Sequence, residues 1–191
     1  AGTAALNHEI ASLVQQLAEY ERAGIFEGER SEEGFIIWEQ DQVLRHQILQ
    51  SQEALIELRK AFAIAAFHHW ERSVQRHFAH ESSNSAPNDR PRRSLRSYDR
   101  IKQEAINLGY PIDDNLDRVV TLINTLKHNN DEKGTHLHKV WPDIFPYEFK
   151  EPYRFTDWAS SIEMADQQLT EVFDIISRSG PSPRGGGDLG R

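Results

Sequence analysis

Apolar positions recur along this chain at spacings of three and four, so most of it reads as amphipathic helix. Leu6, Ile10, Leu13, Val14 and Leu17 mark one face of a helix over residues 6–22. Gly24 and Gly28 interrupt it, and the acidic stretch 27–33 reads as a solvated connection. Neither proline nor glycine occurs from 35 to 79, which predicts the longest helix of the chain. A straight helix of that length is unusual in a globular domain, so a bend or a division within it is expected. Its second half, carrying Leu55, Phe62, Phe67, Trp70 and Phe78, is the most apolar part of the protein and reads as the central core helix.

The stretch 81–93 has loop chemistry, with Ser82, Ser83, Asn84 and Ser85 followed by Pro87 and Pro91. A helix resumes over 94–108 and stops at Gly109. Asp113 or Asp114 is expected to cap the next helix, which ends near His128. Residues 136–141 read as a short helix before Pro142. An irregular aromatic connection follows, with Trp141, Phe145, Tyr147, Phe149, Tyr153 and Phe155 among three prolines. It is expected to pack as a lid rather than to stack bases. Thr156 is expected to cap a last helix reaching 177, and the Gly/Pro/Ser-rich residues 179–191 read as a flexible tail. No internal repeat and no strand is legible. The expected fold class is all-α, a helical bundle with a long central helix. It forms one domain over 1–178, in which 1–34 is an N-terminal helix with its acidic connection and 35–178 is the core.

Composition narrows the function classes. The 191 residues are 38% hydrophobic, enough to bury a real core. Cysteine is absent, which removes disulfides, thiolate nucleophiles and Cys-based zinc sites and fits a cytoplasmic setting. The first residues lack a basic region followed by an apolar block, and no apolar run is long enough for a bilayer. Neither a signal peptide nor membrane contact is expected. A net charge of −8 rules out general coating by nucleic acid, so such contact needs a local basic patch. Arg90, Arg92, Arg93, Arg96 and Arg100, with Lys102, supply one. They read as a surface for phosphate or an acidic partner, or else as surface pairs with Asp99 and Glu104. No phosphate loop, dinucleotide fingerprint or nucleophile elbow occurs, so no cofactor is expected. His69, His77 and His80 recur along one helix without a carboxylate to complete a zinc motif, so no metal is expected.

The densest chemistry lies in Asn124-Thr125-Leu126-Lys127-His128-Asn129-Asn130. At about 100° per residue, Leu116, Val119, Val120, Ile123 and Leu126 share the core side of their helix. Asp117, Thr121, Asn124 and His128 form a separate polar stripe, either a solvated face or a site. His128 falls at the helix C-terminus, where the dipole favours a cation, and Lys127 is beside it. An imidazole next to a fixed cation suits RNA cleavage. The histidine takes the 2′-hydroxyl proton or returns one to the leaving oxygen, and the cation stabilises charge on the phosphate. Glu71, in Phe67-His68-His69-Trp70-Glu71-Arg72, needs a partner on so apolar a helix, and His128 and Arg72 are the candidates.

These segments resemble the HEPN superfamily, helical bundles that dimerise through two long helices. Many are metal-independent endoribonucleases of toxin–antitoxin and antiviral systems. Their motif is an Arg, a polar residue that is often Asn, a few residues, and a His. Asn124 falls on the polar position and His128 on the histidine. Ile123 stands where the family has Arg, which leaves the cation to Lys127 or to an Arg elsewhere, or leaves the site degenerate. Arg118 is too far round the same helix to substitute. The apolar helix with Glu71 resembles the family's core helix, whose acidic residue can face the active histidine. The resemblance covers about residues 35–178. It implies a HEPN-like endoribonuclease with His128 as acid/base, Lys127 and Asn124 on the phosphate, and Glu71 tuning the histidine. Arg90, Arg92, Arg93, Arg96 and Arg100 would guide RNA, with no cofactor or metal, in a homodimer. The alternative is a non-catalytic helical module for dimerisation or for a protein partner such as an antitoxin.

Overall fold

In a computed structural model, the pattern of threes and fours resolves into seven α-helices and one small hairpin among the described residues. The structure describes residues 2–84 (side chains to 80), 97–146 and 157–180. The fold is all-α in character, as the periodicity requires. Contacts divide the chain into two compact units, 1–59 and 60–191, rather than at the expected joint after residue 34. The division falls inside helix α2 (Gln40–Asn84), which runs for 45 residues as one element without the expected division. Such a helix is about 67 Å long, more than twice the diameter of a small domain, so its two halves join different sets of neighbours.

In the first unit, helix α1 (Gly2–Ala23) gives way to strands β1 (Gly28–Arg30) and β2 (Ile36–Glu39). The strands pair antiparallel, with Gly28 opposite Glu39 and Glu29 opposite Trp38. Residues 35–39 were expected to open the long helix. The β-branched Ile36 and Ile37, flanked by Phe35 and Trp38, favour a strand instead, and the helix starts at Gln40. Gly28 is required here, since a Cβ would lie 2.2 Å from the Trp38 carbonyl oxygen. The Tyr20 hydroxyl donates to Glu39 at 3.1 Å and accepts from the Glu27 amide at 3.1 Å, and Arg45 pairs with Glu21 at 2.5 Å.

The second unit combines the C-terminal part of α2 with α3 (Tyr98–Asn107), α4 (Leu116–His128), α5 (Asp131–Val140), a 3₁₀ turn (Pro142–Ile144), α6 (Trp158–Ser161) and α7 (Asp166–Ser177). Its core is one cluster that includes Phe67, Trp70 and Val74 of α2, Ile101 of α3, Trp158, and Leu169, Val172 and Ile175 of α7. Helix α4 sits at the centre, touching α5, α6 and α7. Leu116, Val119, Val120 and Ile123 are buried as their spacing requires, but so are Leu122 and Thr125. The helix is therefore enclosed on more than one side, and it rather than α2 is the central element of this unit.

Three local expectations change. The cap of α4 is Asn115, because Asp113 is occupied otherwise: its carboxylate accepts from the Asn115 amide at 2.9 Å and from Arg178 Nε at 2.7 Å. The last helix is split into α6 and α7. Between them Ile162 and Met164 are buried while Glu163 is exposed, an alternation that an extended segment satisfies, and the Glu163 amide donates to the Ile144 carbonyl at 2.8 Å. Thr156 lies outside the described residues, and Asp157 caps α6. Finally, Ser179 and Gly180 belong to the fold rather than to a tail. Trp70 Nε1 donates to the Ser179 carbonyl at 2.9 Å, and the Gly180 amide donates to the Pro111 carbonyl at 2.8 Å.

Helix α5 begins five residues earlier than expected and passes through Gly134. A helical glycine costs about 1 kcal/mol relative to alanine. It is tolerated because a Cβ would lie 2.1 Å from two ring carbons of Trp158. That ring cannot slide away, since its Nε1 donates to Asp131 at 3.0 Å. The overpacking term exceeds the propensity gain, so Gly134→Ala is expected to lower stability by about 1–3 kcal/mol. The measurement is a lower urea midpoint at unchanged m-value.

Candidate functional site

The segment singled out by the sequence forms the corner between α4 and α5. Helix α4 ends when Asn129 adopts left-handed geometry (φ 43°, ψ 48°), and its amide donates to the Thr125 carbonyl at 2.9 Å. Asparagine is among the few side chains that tolerate this conformation. Its side-chain oxygen accepts from the Ala159 amide at 3.1 Å. Asn130 caps α5 by accepting from the Glu132 and Lys133 amides at 2.8 and 3.2 Å. Asp131 holds the Trp158 indole. Asn129, Asn130 and Asp131 are therefore structural. Lys127 and His128 differ: both are exposed, and neither side chain makes a hydrogen bond or ion pair among the described residues. Asn124, one turn earlier, is half-buried and likewise has no hydrogen-bond partner there.

Two charged residues that the sequence reading passed over gather at this corner. Lys60 is 5% exposed, and its Nζ donates to the Ala159 carbonyl at 2.8 Å. Asp157 accepts from the Ser160 hydroxyl at 2.7 Å and from the Ser160 amide at 3.2 Å. The Ser160 hydroxyl, then the Ser160 amide, with smaller help from the Asn129 side chain and the Lys60 charge, hold the Asp157 carboxyl below the usual carboxylate range. Asn129, the neighbour of His128, thus bonds to Ala159 and helps to hold the Asp157 charge. The signals were in the sequence. Lys60 is a cation within an apolar helical run, and Asp157 with Ser160 has the spacing of a helix cap. No protein-family model matches this chain, and no curated protein or solved structure matches it significantly.

The polar stripe of α4 divides the same way. Asp117 accepts from the Tyr98 hydroxyl at 2.5 Å and from Lys102 Nζ at 2.8 Å, so its charge is matched. Thr121 returns its hydroxyl to the Asp117 carbonyl. Arg100 is exposed on α3. Arg90, Arg92, Arg93 and Arg96 lie outside the described residues. Lys102 is bound at Asp117, the N-terminal end of α4, about 16 Å along the helix from His128. Glu71 is not placed on His128. Its Oε2 lies 2.7 Å from Nδ1 of His68, one turn back on α2, which satisfies the half-buried carboxylate locally. Arg118 lies over the Trp141 ring at 4.2 Å and pairs with Glu171. Among the described residues, no three His, Asp or Glu side chains are grouped to hold a metal ion.

The Tyr98–Asp117 bond carries a pH signature. Burial first, then the hydrogen bond to Asp117 and the charges of Asp117 and Asp99, push the Tyr98 phenol well above its ordinary value of 10.0. A raised folded-state value means the contribution to stability is whole below pH 10.0 and is lost as pH rises beyond it, because the unfolded phenol then ionises first. Native protein is expected to lose more stability between about pH 9 and 11 than Tyr98→Phe does. Urea titrations at the two pH values measure the difference.

Proposed function

We propose that this chain is a HEPN-like, metal-independent endoribonuclease with His128 as its acid/base. The observation that carries this reading is the division of labour at the α4–α5 corner. Three consecutive polar residues are spent on architecture, while Lys127 and His128 face solvent without partners among the described residues. His128 stands at the negative end of α4, which favours a cation and draws one toward the corner. Ile123 is 1% exposed, so no cation leaves the helix at the family's Arg position. Lys127 is one turn further and only about 40° round, which sends its ammonium out on nearly the same side.

In this mechanism His128 removes the 2′-hydroxyl proton as O2′ attacks the adjacent phosphorus. The O2′–P bond forms and the P–O5′ bond breaks. The proton passes to O5′, leaving a 2′,3′-cyclic phosphate and a 5′-hydroxyl. Lys127 and the Asn124 amide stabilise the phosphate oxygens as charge builds. A homodimer would bring two such corners to one substrate. Because Asp117 is matched by Lys102, the exposed stripe of α4 offers little repulsion to a phosphate backbone. A toxin–antitoxin or antiviral role belongs to the same proposal.

The buried Ile123 and the engagement of Glu71 by His68 favour a second reading, a non-catalytic module for dimerisation or for a partner such as an antitoxin. Incubating purified chain with RNA in EDTA separates the two. Fragments with cyclic-phosphate ends support the nuclease. Intact RNA, with a tightly bound protein recovered from the source cells, supports the module.

A further inference from the structure

The first unit presents an apolar strand that nothing in the chain's described residues covers. Phe35 is 70% exposed, Ile36 45%, Ile37 58% and Trp38 42%. Adjacent residues of a strand point to opposite faces, so both faces of β2 are apolar and open. The hairpin has only two strands, so β2 keeps one unpaired backbone edge. Its ladder to β1 is irregular between Glu29 and Arg30, and Ile37 has no partner opposite it. A two-stranded ribbon of this kind is marginal in water, and an open apolar edge is a template for another strand. Exposed apolar surface of this concentration marks a contact site.

Charge decides what covers it. Residues 1–59 hold eleven carboxylates and four arginines, a net −7 out of the chain's −8. Within residues 27–41 the imbalance is steeper: Glu27, Glu29, Glu32, Glu33 and Glu39 stand against Arg30, while Asp41 is paired with Arg45. A second copy of the unit would set one such ring of carboxylates against another, which is repulsive. A segment that alternates apolar residues with Lys or Arg would place its apolar side chains on Ile36 and Trp38 and its cations among the glutamates. We propose that β2 is the docking edge for a cationic, apolar polypeptide segment of another protein, added to the hairpin as a third strand. This surface is independent of the chemistry at His128.

Trp38 supplies the readout, because Trp70, Trp141 and Trp158 are buried. The probe is a synthetic peptide of alternating lysine and valine, titrated into the full chain while tryptophan emission is followed. The expected result is a blue shift with saturable binding that weakens as salt rises. A peptide of the same composition with lysines and valines in separate blocks is expected to bind about ten-fold more weakly, since it cannot match the strand's alternation. Ile36→Ser, on the face that the valines would cover, is expected to cost a similar factor at unchanged helicity. Equal binding of the block peptide, or no change at Trp38, overturns the proposal. So does concentration-dependent self-association that the peptide fails to reverse, which would give the edge to a second copy instead.

Discussion

Trp158→Ala is expected to remove about 3–5 kcal/mol of folding stability, the range for deleting a fully buried tryptophan. The indole is 0% exposed, and one of its edges lies where Gly134 has no side chain. Phe145 meets it edge-on at a centroid distance of 5.9 Å. Its N–H is held by Asp131, so truncation also leaves a carboxylate without its donor. A domain of this kind has about 5–15 kcal/mol in total, so this one residue accounts for a large share. Far-UV circular dichroism against urea is expected to show a much earlier midpoint. Trp158→Phe should fall between the two, because it keeps much of the volume and loses only the hydrogen bond. A Trp158→Ala midpoint indistinguishable from native would mean that the corner is not seated on this ring.

The corner explains what was legible in the sequence and what was not. The core face and the end of helix α4 could be read, because its apolar spacing continues without interruption from Leu116 to Leu126 and two asparagines follow it, whereas its cap at Asn115 and the burial of Leu122 and Thr125 could not. The start of α5 was missed for the opposite reason. Gly134 lowers helix propensity, and the Trp158 ring that makes glycine necessary arrives from 24 residues later in the chain. The hairpin was missed because Phe35-Ile36-Ile37-Trp38 is a continuous apolar run, which periodicity alone cannot assign to helix or strand. Asn129 and Asn130 looked like part of the chemistry. Only the folded chain separates them from Lys127 and His128, because their partners, Ala159 and the first amides of α5, depend on tertiary placement and on a cap geometry that residue type does not announce. Glu71 follows the same rule at shorter range. An i to i−3 histidine was available on its own helix, and the local partner took precedence over a distant one.

On the nuclease proposal, His128→Ala is expected to reduce RNA cleavage by about 100- to 10,000-fold, the range for removing a positioned acid/base. The substitution is informative because the structure gives it little else to damage. The imidazole is exposed and makes no hydrogen bond or ion pair among the described residues, so stability should change by no more than about 0.5 kcal/mol. Activity and stability therefore part company at residue 128, whereas at residue 158 they fall together. The assay is run in EDTA at matched protein concentration, with urea midpoints taken on the same preparations. Loss of cleavage at an unchanged midpoint identifies His128 with the proton transfer. Cleavage that survives the substitution removes His128 from the mechanism, and since Ile123 is buried and Glu71 is committed to His68, no described histidine or carboxylate of the motif is left to carry that role.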